Sequence, residues 1–150
     1  MDSRLSKIAI ALAILGLLVS IYMTIYKFTS NDKMCIGSKD CSVVNASRYS
    51  EIYGIPVAVL GVVGYAAILG VLVLERNPGF FRENASMLFF ALSLTGFLFT
   101  LYLIYVEIAL IKAYCPFCLT SQAVMSFIFI ISVIRLIRQP QFQEDLNAPN

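Results

Sequence analysis

Histidine is absent from the 150-residue sequence. This absence excludes histidine-based acid–base catalysis, Cys–His catalytic pairs and most zinc-enzyme sites. Charged residues are scarce at 13%, against about 25% in soluble globular domains. The formal net charge of +2 is too small to indicate nucleic-acid binding. With 8 Gly and 5 Pro, the chain is neither collagen-like nor of low complexity. The four cysteines are therefore the only strongly reactive side chains in the sequence.

Apolar residues dominate the composition. They make up 59%, against roughly 45–50% in soluble proteins. A soluble domain of this length could not cover so many apolar side chains, and a disordered chain would not contain them. They form four runs with few charges, at residues 8–26, 55–74, 85–111 and 115–134. Each run is near or above the roughly 18–20 residues that a helix needs to cross a bilayer, where backbone polar groups require helices. The sequence thus predicts an integral membrane protein.

The connections between the runs predict one all-α, up-down four-helix bundle. Residues 75–84 and 112–114 are short turns, whereas residues 27–54 form a long polar loop. The first run is longer than the apolar core of a cleaved signal peptide, the alternative, so we expect a retained helix. We expect a transmembrane catalytic domain over residues 1–137 and a polar, disordered tail over 138–150. The small residues that would let membrane helices approach closely are Gly16, Gly61, Gly64, Gly70, Ser93 and Gly96.

An even number of spans places both termini on one side of the membrane and all four cysteines on the other. Six Lys and Arg residues flank the terminal side and five flank the loop side. This difference favours cytoplasmic termini by the positive-inside rule. We therefore expect a multi-pass protein of the cell inner or plasma membrane, with its cysteines facing the extracytoplasmic side. That oxidising side suits disulfide chemistry.

The cysteines form two separated pairs. Cys35 and Cys41 lie in a flexible, polar part of the long loop, M-C-I-G-S-K-D-C. Cys115 and Cys118 form C-P-F-C at the start of the fourth run. Pro116 suits the first position of a helix, which makes Cys115 the N-cap, and the partial positive charge of a helix N-terminus stabilises a thiolate. The Cys-x-x-Cys pair is the strongest indication of redox chemistry.

Two other roles for the four cysteines stay open from the residues alone. Two structural disulfides would use the same residues and make the protein a non-enzymatic membrane scaffold. A zinc site with four thiolate ligands is a weaker alternative, because its ligands would be spaced C-x5-C and C-x2-C with one pair at the bilayer surface. We therefore expect no metal.

Polar residues near the Cys-x-x-Cys pair are candidates for a binding pocket. Gln122 follows Cys118 by four residues, on the same helical face. It either bonds a neighbouring helix or lines a pocket for a lipid-soluble substrate. Glu107, near the outer end of the third run, either handles protons or lies at the membrane interface near Lys112.

Residues 42–53 of the long loop, S-V-V-N-A-S-R-Y-S-E-I-Y, predict a short surface helix. The apolar residues that recur at three- and four-residue steps are Val43, Ala46, Tyr49 and Tyr53. Arg48 and Glu51 fall on the other side. An amphipathic helix of this kind would lie on the membrane surface and cover the mouth of the bundle. An ordinary ordered loop is the alternative.

Three segments carry a further pattern: C-S-V-V-N-A-S-R-Y at 41–49, G-I-P at 54–56 and C-P-F-C-L-T-S at 115–121. Together they resemble the vitamin K epoxide reductase family, in particular its bacterial and archaeal homologues. The resemblance covers roughly residues 8–137 and includes the order of the cysteines, with the loop pair first and the Cys-x-x-Cys last. The other four-helix disulfide-generating family, the disulfide-bond protein B type, places its Cys-x-x-Cys in the first external loop and does not fit.

The resemblance implies a membrane thiol–disulfide oxidoreductase with four catalytic cysteines. Cys35 would meet the thiol of a thioredoxin-like partner, and Cys41 would then attack Cys115. Electrons would reach the Cys115–Cys118 pair, with Cys118 facing a quinone, either ubiquinone or menaquinone, as the acceptor. The family also places a loop serine near this site, which corresponds to Ser47.

The sequence departs from the family pattern at two quinone contacts. Vertebrate-type members carry an Asn four residues before Gly54 and a Tyr four residues after the last Cys, where this chain has Ser50 and Gln122. We expect Ser47, Ser50 and Gln122 to form the quinone site. Many bacterial members carry a fused thioredoxin-like domain, whereas this sequence ends after a short tail, so we expect a separate partner protein. Reduction of vitamin K epoxide is the alternative activity.

Overall fold

The structure is a computed structural model that describes residues 3–29, 40–75 and 81–138. Helix α1 (Ser3–Thr29) is followed by the short helix α2 (Asp40–Ala46), a 3-10 helix (Arg48–Ser50) and the strands β1 (Glu51–Ile52) and β2 (Ile55–Pro56). Next come α3 (Val57–Leu74) and α4 (Phe81–Tyr105), which continues as a π-helical segment (Val106–Ile111), and then α5 (Pro116–Ile137). The predicted disordered tail, from residue 139 onward, lies outside the described residues.

Four of these helices, α1, α3, α5 and α4 with its π-helical segment, are long and apolar enough to cross a membrane. They pack as a ring in which α1 and α4 each contact both α3 and α5. Large apolar side chains such as Leu18, Val63 and Phe127 remain exposed on the outside of the bundle, as expected for a surface that faces hydrocarbon. The predicted all-α, four-helix membrane architecture is confirmed.

The helix ends differ from the apolar runs by a few residues. Helix α3 begins at Val57 instead of Ile55, because Ile55 and Pro56 pair with β1 in an antiparallel hairpin. Helix α4 begins at Phe81, before the predicted start at residue 85. Apolar composition marks the part of a helix that lies in lipid, whereas the backbone hydrogen bonds of a helix continue past that point.

Tyr65 of α3 is at the centre of the bundle. Its ring is buried, and its hydroxyl donates to the Ser121 carbonyl oxygen of α5 at 2.8 Å. A Cβ atom added to Gly16 of α1 would lie 2.3 Å from carbons of the Tyr65 ring. The missing side chain of Gly16 therefore lets α1 and α3 approach closely, as predicted from its small size.

The prediction that small residues allow close helix approach is confirmed for some of the other positions and wrong for others. Gly61 and Gly96 also face side chains of neighbouring helices, and the hydroxyl of Ser93 in α4 donates to that of Ser132 in α5 at 2.6 Å. The expectation is wrong for Gly64 and Gly70, where an added Cβ would meet nothing within 4 Å.

The segment after α2 differs from the predicted surface helix. The helix ends at Ala46, and Ser47 has the extended dihedrals φ −68° and ψ 151°. The hydroxyl of Ser47 donates to the Val44 carbonyl oxygen at 2.6 Å, which satisfies an acceptor at the helix end. Two-residue strands then turn at Tyr53 and Gly54, both with positive φ, as in the type I′ hairpin turn.

The side chain that α2 packs against the bundle is not part of the predicted apolar stripe. The proposed apolar stripe is exposed, including Val43, Tyr49 and Tyr53, whereas Val44 is buried. A stripe drawn through all twelve residues assumed one continuous helix, and the helix ends before Tyr49 and Tyr53.

A buried ion pair joins α3 to α5 at the opposite end of the bundle. Glu75, expected in a polar turn, follows the last residue of α3 and accepts from Arg135 of α5. Both side chains are buried, and the Arg135 guanidinium lies 5.3 Å from the centre of the Phe89 ring. The pair fixes the end of α3 against α5, 60 residues further along the chain.

Candidate redox site

The Cys-x-x-Cys pair lies at the N-terminus of α5, as predicted. Cys115 is the N-cap, with φ −90° and ψ 112°, and Pro116 occupies the first turn. The Cys118 backbone N–H donates to the Cys115 Sγ at 3.4 Å. Both residues are thiols in the structure. The N–H groups at a helix N-terminus and the partial positive charge there stabilise a thiolate at Cys115.

The two cysteines have different surroundings. Cys115 is completely buried and packs with Met23 and Tyr26 of α1, Ala113 and Val44 of α2. Cys118 is partly exposed and lines a cavity within the bundle. The Phe117 ring between them lies 5.2 Å from the Tyr22 ring of α1, which fixes the motif against that helix. Cys115 is thus packed against α2, whereas Cys118 borders the cavity.

The loop cysteines are described only in part. Cys41 is in α2, three residues before Val44, and α2 packs against the π-helical segment. The side chain of Cys41 and the whole of Cys35 lie outside the described residues. Their pairing and reactivity stay predictions, and so does the choice between a redox pair, a structural disulfide and a zinc ligand pair.

The cavity has a volume of about 180 Å³. For comparison, a dry protein cavity of about 150 Å³ binds benzene, so this space suits a ring of similar size. Its wall is mainly apolar and is formed by α1, α3, α4 and α5, with Val44, Ser47, Tyr49 and Ser50 covering one side. A small apolar ring can therefore be placed next to Cys118.

Ser47, Ser50 and Gln122, the three residues predicted to contact a quinone, all line this cavity. The hydroxyls of both serines already donate within the loop: Ser47 to the Val44 carbonyl oxygen, and Ser50 to the Ser47 carbonyl oxygen at 2.8 Å. The Ser50 oxygen also accepts from Lys27 at 2.9 Å. The serines therefore hold the loop in shape above the cavity.

Gln122 is different, because its amide is buried and its hydrogen-bonding capacity is unused. The residue is 5% exposed, and neither amide atom has a hydrogen-bond partner among the described residues. A buried amide without partners is costly. Its Nε2 and Oε1 are therefore suited to bind a polar atom of a molecule in the cavity.

Lys27 contacts the cover of the cavity, which the sequence analysis did not predict. At the end of α1, it forms an ion pair with Glu51 of β1 at 3.1 Å and donates to Ser50. These bonds tie the 3-10 helix and the hairpin to α1, and so hold the cover of the cavity in place. The sequence shows a cation at the end of a span, but its two partners are 23 and 24 residues away.

The chain resembles known proteins over most of its length. A model of the Vitamin K epoxide reductase family matches residues 7–133. The thiol-disulfide oxidoreductase LTO1 of Arabidopsis thaliana is 29% identical over 118 residues, which cover 75% of this chain and 31% of that protein. The chain therefore spans about a third of this relative's length. The match covers every cysteine and most or all of each of the four long helices, and on this evidence the chain is a multi-pass membrane protein that belongs to the vitamin K epoxide reductase family.

Proposed function

We propose that the protein oxidises the dithiol of a separate thioredoxin-like protein and passes the electrons through its two cysteine pairs to a quinone. The observation that carries this proposal is the difference in surroundings between the two cysteines at the start of α5. Cys115 is buried against the helix that contains Cys41, whereas Cys118 opens onto an apolar cavity. A relay between water-borne protein and a lipid-soluble acceptor needs this arrangement.

The relay consists of successive thiol–disulfide exchanges. A partner thiolate attacks Cys35 of the Cys35–Cys41 disulfide, and the partner's second thiol then displaces Cys35, which leaves the partner oxidised. Cys41 next attacks Cys115 of the Cys115–Cys118 disulfide, releasing Cys118 as a thiolate, and Cys35 then attacks Cys41 to reform the loop disulfide. The direction of each exchange follows the reduction potentials of the pairs.

The position of Cys41 supports its exchange with Cys115. Residues three apart are neighbours on the surface of a helix, and Cys41 precedes Val44 by three in α2. Val44 packs in the same buried cluster as Cys115. The packing of Val44 against Cys115 therefore supports an exchange between Cys41 and Cys115.

The residues around the cavity fit a quinone. Bound there, a quinone supplies the acceptor for two electrons and two protons. The apolar wall accepts its ring, and the unused amide of Gln122 can donate to a carbonyl oxygen. Ser47 and Ser50 shape the cover by their bonds within the loop. We further propose that the end of the bundle with the cysteines lies at the extracytoplasmic surface of the cell inner or plasma membrane, where it meets the partner.

Purified protein in detergent, supplied with a reduced thioredoxin-like protein and a soluble ubiquinone or menaquinone, tests the proposal. Quinone absorbance should fall and the partner should become oxidised. Cys118→Ala should abolish turnover, whereas Thr95→Ala, on an exposed position of α4, should retain it. Cys35→Ala should block the protein partner but spare turnover with dithiothreitol.

The same experiment separates the alternatives. A scaffold with structural disulfides gives no turnover with any acceptor. A protein that converts vitamin K epoxide with dithiothreitol, but leaves the quinone oxidised, is an epoxide reductase. Either result contradicts the proposed function.

A further inference from the structure

Glu107 is a buried acid that the relay of cysteines leaves unused. Its side chain is 4% exposed and lines the cavity. Its Oε2 atom has no hydrogen-bond partner among the described residues. Burying a carboxyl oxygen without a hydrogen-bond partner is costly, and an ionisable residue inside a membrane span indicates a functional role. Glu107 thus needs an explanation beyond packing.

The Glu107 side chain lies in the same part of the bundle as the reacting thiols. It lines the cavity together with Cys118 and Gln122, and it is close enough to Cys115 for an electrostatic interaction. Among the described residues that line the cavity, Glu107 is the one carboxylic acid, and this lining contains no lysine or arginine. The carboxyl group therefore shares the ligand space with the Cys118 sulfur and has no counter-charge from the wall.

The other titratable side chains described around this space have identified surroundings. Lys27 of α1 is bonded to Glu51 and Ser50. The Tyr65 phenol of α3 is bonded to Ser121. Tyr26 of α1 packs in the cluster around Cys115, and Tyr49 is largely exposed on the cover. The two thiols and Glu107 are thus the groups placed together for proton exchange.

Glu107 lies where the third span changes its helical geometry. It is the second residue of the π-helical segment, a wider coil that continues α4 to the end of the span. The segment ends at Ile111 and is followed by Lys112, whose φ of 53° is left-handed. The chain reaches Cys115 three residues after Lys112.

We propose that Glu107 carries a proton between the Cys118 thiol and the molecule bound in the cavity. The inference rests on the proposed function, because it assigns a proton path for quinone reduction. The Glu107 carboxylate accepts the Cys118 proton as that sulfur becomes a thiolate, the nucleophilic form. It then releases the proton to the nearer carbonyl oxygen of the acceptor.

Atoms and electrons balance over one turnover. The S–H bonds of Cys115 and Cys118 break, and one S–S bond forms between the two sulfurs. Two electrons and two protons leave the dithiol, and the two carbonyl oxygens of the acceptor become hydroxyls. One proton passes through Glu107, which ends the cycle in its starting state. The Cys115 proton is released to solvent, and the second oxygen takes up one proton from solvent.

The first test follows quinone reduction by pre-reduced protein in a single turnover, as a function of pH. Glu107→Gln should slow this step by about 100-fold or more, the usual contribution of a positioned acid–base group, and should remove the acidic limb of the pH profile. Glu107→Asp, which keeps an acid, should recover part of the rate. Oxidation of the reduced partner by the loop pair should be unchanged in both variants. Wild-type rate and pH profile in Glu107→Gln would overturn the proposal.

A second test needs no quinone, so it separates this inference from the proposed function. In protein with Cys35→Ala, Cys41→Ala and Cys115→Ala, alkylation of Cys118 is followed against pH. Two groups that exchange a proton titrate as a coupled pair, in two steps. We expect two steps in this protein and in its Glu107→Asp form, and one step after Glu107→Gln. The same curve with and without Glu107→Gln would overturn the role of Glu107. If wild-type protein leaves quinone oxidised, the proposed function fails. The pH dependence of Cys118 alkylation still shows whether Glu107 exchanges a proton with Cys118.

Discussion

Gly16→Ala should destabilise the bundle through one identifiable contact. The added methyl would lie 2.3 Å from carbons of the Tyr65 ring, well inside van der Waals contact. The ring is buried and its hydroxyl is bonded to Ser121, so it cannot move without losing packing or that bond. Overpacking a core costs about 1–3 kcal/mol, and a lost hydrogen bond adds about 0.5–1.5 kcal/mol. The better helix propensity of Ala offsets about 0.5–1 kcal/mol. We expect a net loss of about 0.5–4 kcal/mol in the free energy of unfolding.

Gly70→Ala in α3 is the matched control, because an added Cβ there would meet nothing within 4 Å. It should leave the free energy of unfolding unchanged or raise it by up to about 1 kcal/mol. Both variants can be unfolded by SDS titration in detergent micelles, with loss of helicity as the signal. Equal stability of the two variants would refute the close approach of α1 and α3 at Gly16.

Three further predictions concern other contacts. Gln122→Leu should raise the KM for quinone about 3- to 10-fold through one lost hydrogen bond. Thermal stability in detergent should stay the same or rise, because buried amide atoms without partners are removed. A lower stability with an unchanged KM would contradict the ligand role. Glu75→Gln should cost about 3–5 kcal/mol in SDS unfolding by leaving Arg135 buried without its partner, and adding Arg135→Met should restore much of the loss; an additive double variant would contradict the pairing. Lys27→Met should raise the KM for quinone by up to about fivefold, because the ion pair with Glu51 is partly exposed and worth at most about 1 kcal/mol; an unchanged KM would show that the cover does not depend on this bond.

The sequence was sufficient for the features that depend on local composition. The four spans followed from the length of the apolar runs, because hydrocarbon thickness sets the length of a spanning helix. The N-cap position of Cys115 followed from Pro116, whose fixed φ and missing N–H suit the first turn. The order of the cysteines indicated the family, which the comparison with known proteins confirmed.

Contacts between residues far apart in the chain could not be predicted from the sequence. The Glu75–Arg135 pair and the Tyr65–Ser121 bond join residues 60 and 56 positions apart, and no periodic pattern identifies such partners. The helix-to-hairpin transition after Ala46 was also missed, because Ser47 ends the helix by a side-chain bond and Tyr53 adopts positive φ, which is uncommon for tyrosine. The sequence indicated Ser47, Ser50 and Gln122 as quinone contacts, and all three line the cavity. It did not show which of them has hydrogen-bonding atoms without a partner.

The most direct test of the relay is to ask which cysteines of the two pairs bond to each other. In Cys35→Ala/Cys118→Ala protein only Cys41 and Cys115 remain, and in Cys41→Ala/Cys115→Ala protein only Cys35 and Cys118 remain. After mild oxidation and proteolysis, mass spectrometry should find a Cys41–Cys115 disulfide in the first protein and separate thiols in the second. Separate thiols in the first protein, or a disulfide in the second alone, would contradict the proposed electron path.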